Sequence, residues 1–405
     1  MKKNVINPVS TIYLFFSGLF TFALAFFFAT YVPFLTEKGM NLWQISFINS
    51  FFMLFIILAE MPTGSFADRF GRHHSISISC FLLVISFLTY YFSESFWLFI
   101  LAEIIGAIGH TFVSGAAEAW LVDSLKVRGE FHLKEKIFRQ EQFSKTIGLT
   151  FGCISGAWLG SFNLAWPWLA TSFFMFVAGI FSLFFIKENY HREEKELSKN
   201  GTLKQLKDAW HYGVRNKELL YVMSFGALIA LALQAINMQW TLLFKDSYGF
   251  SSVSLGYLFI LTSLTVALGG RFSKRIKHLF KDERMFIILP QLLTAVAIVV
   301  TAQASGLLFV GSAFLLHEFG RGIFTPVKQN YMNNRIESNR RATLLSLESM
   351  FTKLGAFVGL LISGLLANNF GINKTWLFSG LLLLIGIIIF FIILKKIKIN
   401  IKMIT

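Results

Sequence analysis

Three acidic side chains stand deep inside long apolar runs of this sequence, where a charge is costly to keep. They are Glu60, Glu103 and Glu318. A charged side chain at the centre of a transmembrane helix costs about 2.5–3.5 kcal/mol on insertion scales, so each one needs a partner, water or a purpose. A carboxyl group in a low-dielectric setting can take up and release protons near neutral pH. We therefore regard these three as the candidates for proton coupling.

Polar residues also recur at helical spacing in two of the apolar runs. In the fourth predicted membrane-spanning segment, four of them fall within about 60° of one another at 100° per residue: Glu103, His110, Ser114 and Glu118. In the tenth run, a basic set falls within about 80°: His317, Arg321, Thr325 and Lys328. An acidic stripe and a basic stripe of this kind can meet across an interface, and they predict the wall of a wetted cavity.

Neutral side chains complete the candidate substrate contacts. Gln234, Asn237 and Trp240 lie in the seventh run and can bind a solute without fixing its charge. Phe22 and Phe26 in the first run can line an apolar pocket, although most of the 48 phenylalanines are expected to pack or to face lipid. The predicted site therefore combines charged, amide and aromatic groups.

Several charged or polar groups have a structural alternative. Glu118 and Lys328 lie near the inner surface, where ion pairs and snorkelling side chains are common. His110 can simply bond to a backbone carbonyl. Glu141 and Lys145 are four residues apart, the spacing of a pair that neutralises itself on one helix. These readings remain open at the level of sequence.

The elements that must position these residues are membrane helices. The chain of 405 residues is 55% hydrophobic and 15% charged, whereas soluble domains average about 25% charged residues. Its apolar runs are long enough for twelve passes at about 20 residues each. Because backbone groups in lipid must bond to one another within the segment, these passes are helical. We predict an all-α membrane protein with twelve transmembrane helices in two pseudo-symmetric six-helix bundles.

The placement of the basic residues orients the chain. If both termini are cytoplasmic and the passes alternate, 30 of the 37 Lys and Arg residues lie on the inner side and 3 on the outer side. This bias follows the positive-inside rule and predicts a multi-pass protein of the cell (inner/cytoplasmic) membrane with cytoplasmic N- and C-termini. It also accounts for the net charge of +15 without nucleic acid as a partner. The two cysteines fall inside predicted passes, so no disulfide is expected.

The only long polar segment divides the chain into halves. The predicted domains are a first bundle at 1–186, a cytoplasmic central loop at 187–217 and a second bundle at 218–405. A shift of 211 positions lays Gly109 on Gly320. A shift of 207 positions superimposes three further pairs: Glu141 and Glu348, Gly148 and Gly355, Gly152 and Gly359. Apart from chance, the explanation is a repeat, and repeated halves permit alternating access to a site between them.

The connection EMPTGSFADRFGRHHS at 60–75 contains two glycines and several charged residues, and it joins two segments that are apolar enough to cross a membrane. Gly64 would let a neighbouring helix approach closely, and Gly71 would support the tight reversal into the third pass. Asp68 falls in the last helical turn, where its charge opposes the helix dipole unless another group compensates it. The basic residues alone would be explained as positive-inside anchors.

This stretch resembles the signature of the major facilitator superfamily, Gly-x-x-x-Asp-Arg-x-Gly-Arg followed by Arg or Lys. The matching residues are Gly64, Asp68, Arg69, Gly71 and Arg72, with His73 in the final basic place. The resemblance implies a cytoplasmic latch made of these residues, with Asp123 as the expected partner of an arginine. It also implies a secondary active transporter with a small-molecule substrate and the lipid bilayer as its partners, working as a monomer.

The branch of the family is less sharply marked. The fifth pass carries Gly148, Gly152, Gly156 and Gly160 four residues apart, which predicts a smooth face for close packing. Its surroundings, and the segment EAWLVDSL at 118–125, are similar to the bacterial drug:proton antiporter-like efflux branch, although Glu103 stands where antiporters carry an arginine. The resemblance implies proton-coupled efflux of amphipathic or cationic compounds, with no cofactor beyond the proton gradient.

Efflux has alternatives in other function classes. The alternative is uptake of a sugar, an organic anion or another metabolite by symport or facilitated diffusion, with Arg321 and Lys328 as anion ligands. A sensor that binds solute without moving it is a further possibility. An integral membrane enzyme is disfavoured because no metal-ligand set and no nucleophile constellation appear. We therefore predict no enzyme activity and no metal site.

Overall fold

The structure is a computed structural model that describes residues 8–188, 212–213, 215–276, 283–336 and 341–396. In the first half the helices are α1 (Pro8–Ala25), α2 (Tyr31–Glu37), α3 (Leu42–Phe70), α4 (Arg72–Phe92), α5 (Phe96–Val113), α6 (Ala116–Val127), α7 (Lys134–Phe162) and α8 (Trp166–Phe185). In the second half they are α9 (Lys217–Tyr248), α10 (Ser252–Ile276), α11 (Glu283–Gln303), α12 (Leu307–Asn333), α13 (Arg341–Phe370) and α14 (Ile372–Lys396). Most of the predicted central loop, at 189–211, lies outside the described residues.

These helices make twelve passes, because α1 with α2 and α5 with α6 each form one pass. Eleven segments of the described chain are long and apolar enough to cross a membrane. The remaining long helix is α7, whose first half is charged and whose second half is rich in glycine. Glycine packing, described below, explains why this pass is less apolar than the others. The predicted all-α, twelve-pass fold is confirmed.

Local sequence signals set where some helices begin. The side chain of Asn41 accepts a hydrogen bond from the backbone of Gln44 at 2.9 Å, and the Gln44 side chain accepts one from the backbone of Asn41 at 3.0 Å. This reciprocal capping satisfies two backbone donors at the start of α3. Pro167 stands in the first turn of α8, where its missing donor is harmless.

The internal contacts group the chain into two compact units. Unit 1 comprises Met1–Glu193 with Trp240–Ile260, and unit 2 comprises Glu194–Gln239 with Leu261–Thr405. The ends of α9 and α10 that adjoin their short connection therefore belong with unit 1. The three-part division of the chain stays a prediction. Below, the inner end of a helix is the end that adjoins the connections rich in Lys and Arg.

Glycines allow α7 to lie directly on α1. A Cβ atom added at Gly148 or Gly152 would overlap the backbone carbonyls of Gly18 and Phe22, and one at Gly156 would overlap Phe26. The prediction of a smooth packing face on the fifth pass is confirmed.

The same device recurs in unit 2. A Cβ added at Gly355 or Gly359 of α13 would overlap the carbonyls of Ala227 and Leu231 on α9. The glycines paired by the sequence shift of 207 therefore have the same role in each unit. They let the fifth pass of each half pack directly on the first pass of that half. Small residues at such interfaces let helix backbones approach closely in lipid. Physical packing thus supports the repeat that the sequence indicates.

The fourth pass is interrupted in the middle. α5 ends at Val113, Gly115 has φ +74°, and α6 begins at Ala116. Such a φ is disfavoured for residues with a side chain, so glycine fits this turn. The predicted polar stripe assumed a continuous helix at 100° per residue, and that assumption was wrong across the break. Glu103 and Glu118 do not share one face: Glu103 is buried and Glu118 is exposed.

Candidate functional site

The candidate site is a recess in unit 1 between α6 and α7. Its volume is about 420 Å³, and it is lined by Glu118, Phe138, Arg139, Glu141, Gln142 and Lys145. Of the two bases, Arg139 lies nearer the inner end of α7, and at about 1.5 Å per residue Lys145 lies about 9 Å further along. The recess therefore presents two acids, two bases, an amide and an aromatic ring within a short stretch of two helices.

Glu141 and Lys145 pair across one turn of α7. Lys145 Nζ lies 2.6 Å from Glu141 Oε1. The Glu141 side chain is only 5% exposed, whereas that of Lys145 is 38% exposed. The hydroxyl of Tyr13 is buried close to the Glu141 carboxylate. The self-neutralising pair expected from the spacing is present, and it forms part of the recess.

Glu118 and Ser114 are exposed on either side of the helix break. Glu118 lies in the first turn of α6, where a carboxylate suits the helix dipole, and forms no ion pair with a described residue. The exposed Glu118 carboxylate is therefore accessible from the recess. His110 lies in the last turn of α5, and its ring is 5.9 Å from that of Phe52. Of the predicted stripe, only Glu118 lines the recess.

Glu103 sits in a buried network of neutral groups. Tyr31 and Tyr90 donate their hydroxyls to Glu103 Oε1 at 2.7 Å and 2.5 Å. Asn49 donates to the hydroxyl of Tyr31 at 3.5 Å. The ring of Tyr90 stacks on Trp168 of α8 with centroids 4.1 Å apart. This proton-coupling candidate is thus enclosed inside unit 1, and it does not line the recess.

Glu318 is held by charged neighbours in unit 2. Arg321 Nη1 donates to Glu318 Oε1 at 2.8 Å and also to Asn237 Oδ1 at 3.1 Å. His317 Nε2 lies 3.3 Å from the same carboxylate oxygen, while its Nδ1 contacts the carbonyl of Phe314. The structure therefore brings four predicted site residues of unit 2 together: Asn237, His317, Glu318 and Arg321. Gln234 is buried one turn before Asn237 on α9.

Lys328 also has an acid partner in its own unit. Its Nζ lies 2.5 Å from Glu348 Oε1 on α13, and both side chains are 15% exposed. Thr352 donates to the same oxygen at 2.9 Å. Arg321 and Lys328, which the sequence placed on one basic stripe, are each paired with an acid. The stripe is therefore not a surface of uncompensated positive charge.

The aromatic candidates pack against other rings. Phe22 and Phe26 lie 4.9 Å and 5.3 Å from Phe174 of α8, and Phe26 is only 3% exposed. Trp240 stacks on Phe259 at 6.2 Å within unit 1. The expectation that Phe26 lines an open pocket is not met in this structure, because its ring, one residue beyond the end of α1, is buried among other rings.

At the inner end of unit 1, Arg72 connects three helices. Its guanidinium pairs with Asp123 of α6, the partner expected from the resemblance. Its backbone N–H donates to Glu188 Oε1 at 2.6 Å, so this carboxylate caps the start of α4. Gly71 has φ +114°, and a Cβ there would lie 3.2 Å from Glu188 Oε2. The reversal from α3 to α4 therefore requires glycine, as predicted.

The other residues of the signature are exposed. Asp68 lies in the last turn of α3, and the guanidinium of Arg69 lies 5.2 Å from the ring of Phe70. A Cβ at Gly64 would meet no atom of the described residues within 4 Å. The close helix approach expected at Gly64 is thus not observed in this structure. Glu60 is half-buried two turns before Asp68, within the part of α3 that contains Pro62.

Sequence reasoning missed several contributors, among them Phe138, Arg139 and Gln142 of the recess. Glu141 was treated as already neutralised, although its place in the recess gives it access to a ligand. The tyrosines that hold Glu103 come from two other helices, and no local pattern links them. Glu188 follows directly after the sixth pass, at the start of a loop of mixed charge, and it contacts Arg72, which is 116 residues away along the chain.

The twelve helical passes, and the charged groups held within them, define a polytopic membrane protein of the solute-transporter class. The family model of the Major Facilitator Superfamily matches residues 14–316 and 279–402. The chain belongs to the major facilitator superfamily, and it is a transporter. The family resemblance found in the connection between the second and third passes is therefore confirmed.

Similar proteins extend over nearly the whole chain. The MFS-type transporter YxaM of Bacillus subtilis (strain 168) is 27% identical over 397 residues, covering 95% of this chain and 96% of that protein. Multidrug resistance protein 2 of the same organism is 22% identical, covering 85% and 84%. The crystal structure of the nucleoside transporter NupG superimposes with a TM-score of 0.78 at 16% identity, covering 96% and 99%. This structural likeness shows the fold alone.

Proposed function

We propose that this transporter exports amphipathic or cationic small molecules in exchange for protons. It would work by alternating access, as a monomer, in the cell membrane with both termini in the cytoplasm. The proton gradient would supply the energy, and no other cofactor is required. Protons taken up by buried carboxylates would favour the state that releases the substrate outside.

The observation that carries the proposal is Glu118 in the recess of unit 1. Its carboxylate is exposed at the side of a cavity that also holds the ring of Phe138. An acid beside an aromatic ring suits an organic cation, since the acid attracts the charge and the ring face attracts it as well. Arg139 lies closer to the inner end and is the one base of the recess without an acid partner among the described residues.

The pairing of the basic residues in unit 2 weighs against an anionic substrate. Arg321 is held by Glu318, and Lys328 is held by Glu348. An anion could bind either base only by displacing a carboxylate that is already in contact with it. The uptake alternative, in which these two bases are anion ligands, therefore has weaker physical support.

The similarity to Multidrug resistance protein 2 also supports efflux, because that protein's name describes resistance to several drugs. At 22% identity the likeness does not transfer a substrate. The three candidate proton carriers differ in their surroundings: Glu318 faces charged groups, Glu103 faces neutral donors, and Glu60 is half-buried. This difference favours Glu103 as the proton carrier, because no neighbouring cation among the described residues holds its carboxylate in the ionised form.

The test uses everted membrane vesicles that contain the protein. Addition of ethidium or tetraphenylphosphonium should collapse part of an imposed proton gradient, and the compound should accumulate inside the vesicles. Glu118→Gln should weaken this response at least several-fold, whereas Glu94→Gln, an exposed acid away from the recess, should not. If a broad panel of cations produces no proton movement, coupling is refuted. If a labelled neutral or anionic metabolite is taken up by cells instead, the uptake alternative replaces efflux.

A further inference from the structure

The pair of Glu141 and Lys145 has two unequal partners. The carboxylate is almost completely buried, but the lysine reaches it with more than a third of its side chain exposed. Both residues line the recess. The ammonium group of Lys145 is therefore attached to a flexible side chain and pairs with a buried acid beside an open cavity. An organic ammonium that entered the recess would meet the same acid.

A buried tyrosine stands beside this acid. The hydroxyl of Tyr13 lies close enough to the Glu141 carboxylate to interact with it. Glu141 therefore keeps a polar neighbour when Lys145 leaves the carboxylate. The ring of Tyr13 stands edge-on to Phe138, which lines the recess, at 6.4 Å.

We propose that Glu141 binds the cationic nitrogen of the substrate and that Lys145 occupies the same carboxylate when the recess is empty. Lys145 is thus an internal competitor that substrate displaces. The inference rests on the proposed export of cations: Glu118 attracts the cation to the recess, and Glu141 is the acid that then holds it. Glu118 is the acid that accepts the released ammonium group, since it has no ion pair with a described residue and lines the same recess. Such an exchange leaves neither charge uncompensated.

The equivalent position in unit 2 is built differently. Glu348 corresponds to Glu141 in the repeat, and Thr352 stands where Lys145 would be. Glu348 is instead held by Lys328 of a neighbouring helix, with both side chains mostly buried and Thr352 as a second donor. This pair has little exposed length with which to exchange partners. Only the unit 1 pair therefore combines a buried acid, a removable base and an adjoining cavity.

The test measures the binding of radiolabelled ethidium, whose positive charge is carried by a ring nitrogen, to the purified full chain in lipid nanodiscs. Lys145→Gln removes the competitor, so its Kd should be at least about twofold lower than that of the wild type, the fold-change that corresponds to the loss of one helical ion pair. Lys136→Gln is the matched control, because Lys136 is exposed on the same helix and does not line the recess. Its Kd should equal that of the wild type. Glu141→Gln should weaken binding at least tenfold.

The outcomes separate this inference from the function on which it rests. If the wild type binds the probe and Lys145→Gln binds it no more tightly, the competitor role is overturned while export of cations stands. If neither the wild type nor Lys145→Gln binds the probe, and vesicles export no cation, both proposals fail. Because Lys145→Gln keeps the buried acid, its result decides the matter even where Glu141→Gln does not fold.

Discussion

The hydroxyl of Tyr90 donates to Glu103 at 2.5 Å, and both groups are buried on neighbouring helices α4 and α5. Tyr31 of α2 donates to the same carboxylate oxygen, so three helices meet at one acid. A buried carboxylate can be tolerated in this way, because neutral donors replace the water that it loses. The acid consequently fixes the outer part of the first pass to the third and fourth passes.

Removing one of these donors should loosen unit 1. Tyr90→Phe keeps the ring on Trp168 and deletes only the hydroxyl, so we expect a loss of about 0.6–2 kcal/mol and a lower unfolding temperature in detergent. The adjacent Tyr91→Phe makes the same chemical change where no hydrogen bond to a described residue is lost. Equal unfolding temperatures for the two variants would show that the Glu103 network does not stabilise the protein.

Glycine contacts along α7 should be intolerant of side chains. Gly152→Val would force the backbone of α1 away at Phe22, and overpacking of this kind costs about 1–3 kcal/mol or more. The expected result is poor yield and a reduced unfolding temperature. Gly64→Ala is the matched control, since its added methyl group meets no described atom. A stable Gly152→Val protein would mean that α1 and α7 can separate at little cost.

The ion pair of Lys328 and Glu348 should show strong coupling. Either Lys328→Gln or Glu348→Gln leaves one mostly buried charge without its partner, which typically costs about 3–5 kcal/mol. The double variant removes both charges and should recover much of that loss. Unfolding measurements on the four proteins give the coupling energy. Additive effects of the two single changes would exclude a direct interaction of this strength.

The latch interpretation of the family signature gives a prediction for Asp68. Asp68→Asn should express and insert normally but lose most transport, because the proposed role depends on its charge during the conformational cycle. Asp246→Asn makes the same chemical change at an exposed acid near the end of α9, and this variant should transport like the wild type. Dye export from cells, normalised to the amount of protein in the membrane, measures both. Normal transport by Asp68→Asn would remove the latch role and leave the family assignment intact.

Properties encoded in short spacings were predictable from the sequence. Hydropathy and charge gave the twelve passes, four-residue spacing gave the pair of Glu141 and Lys145, and the glycine period gave the packing of α7. Features that depend on distant partners were predictable only where the family signature supplied them, as for Arg72 and Asp123. The tyrosines of Glu103 come from positions 31 and 90, and Lys328 finds its acid twenty residues along the chain. The break at Gly115 also escaped, because one glycine in an apolar run does not by itself distinguish a turn from a packing contact.

The short helix α6 carries Glu118 in its first turn and Asp123 five residues later. A helix of 12 residues moves as one rigid piece, and the turn at Gly115 disconnects it from the outer segment anchored by Glu103. We therefore expect a displacement of Glu118 at the recess to displace Asp123 and, through it, Arg72. The inner half of the fourth pass would then couple the recess mechanically to the connection between the second and third passes.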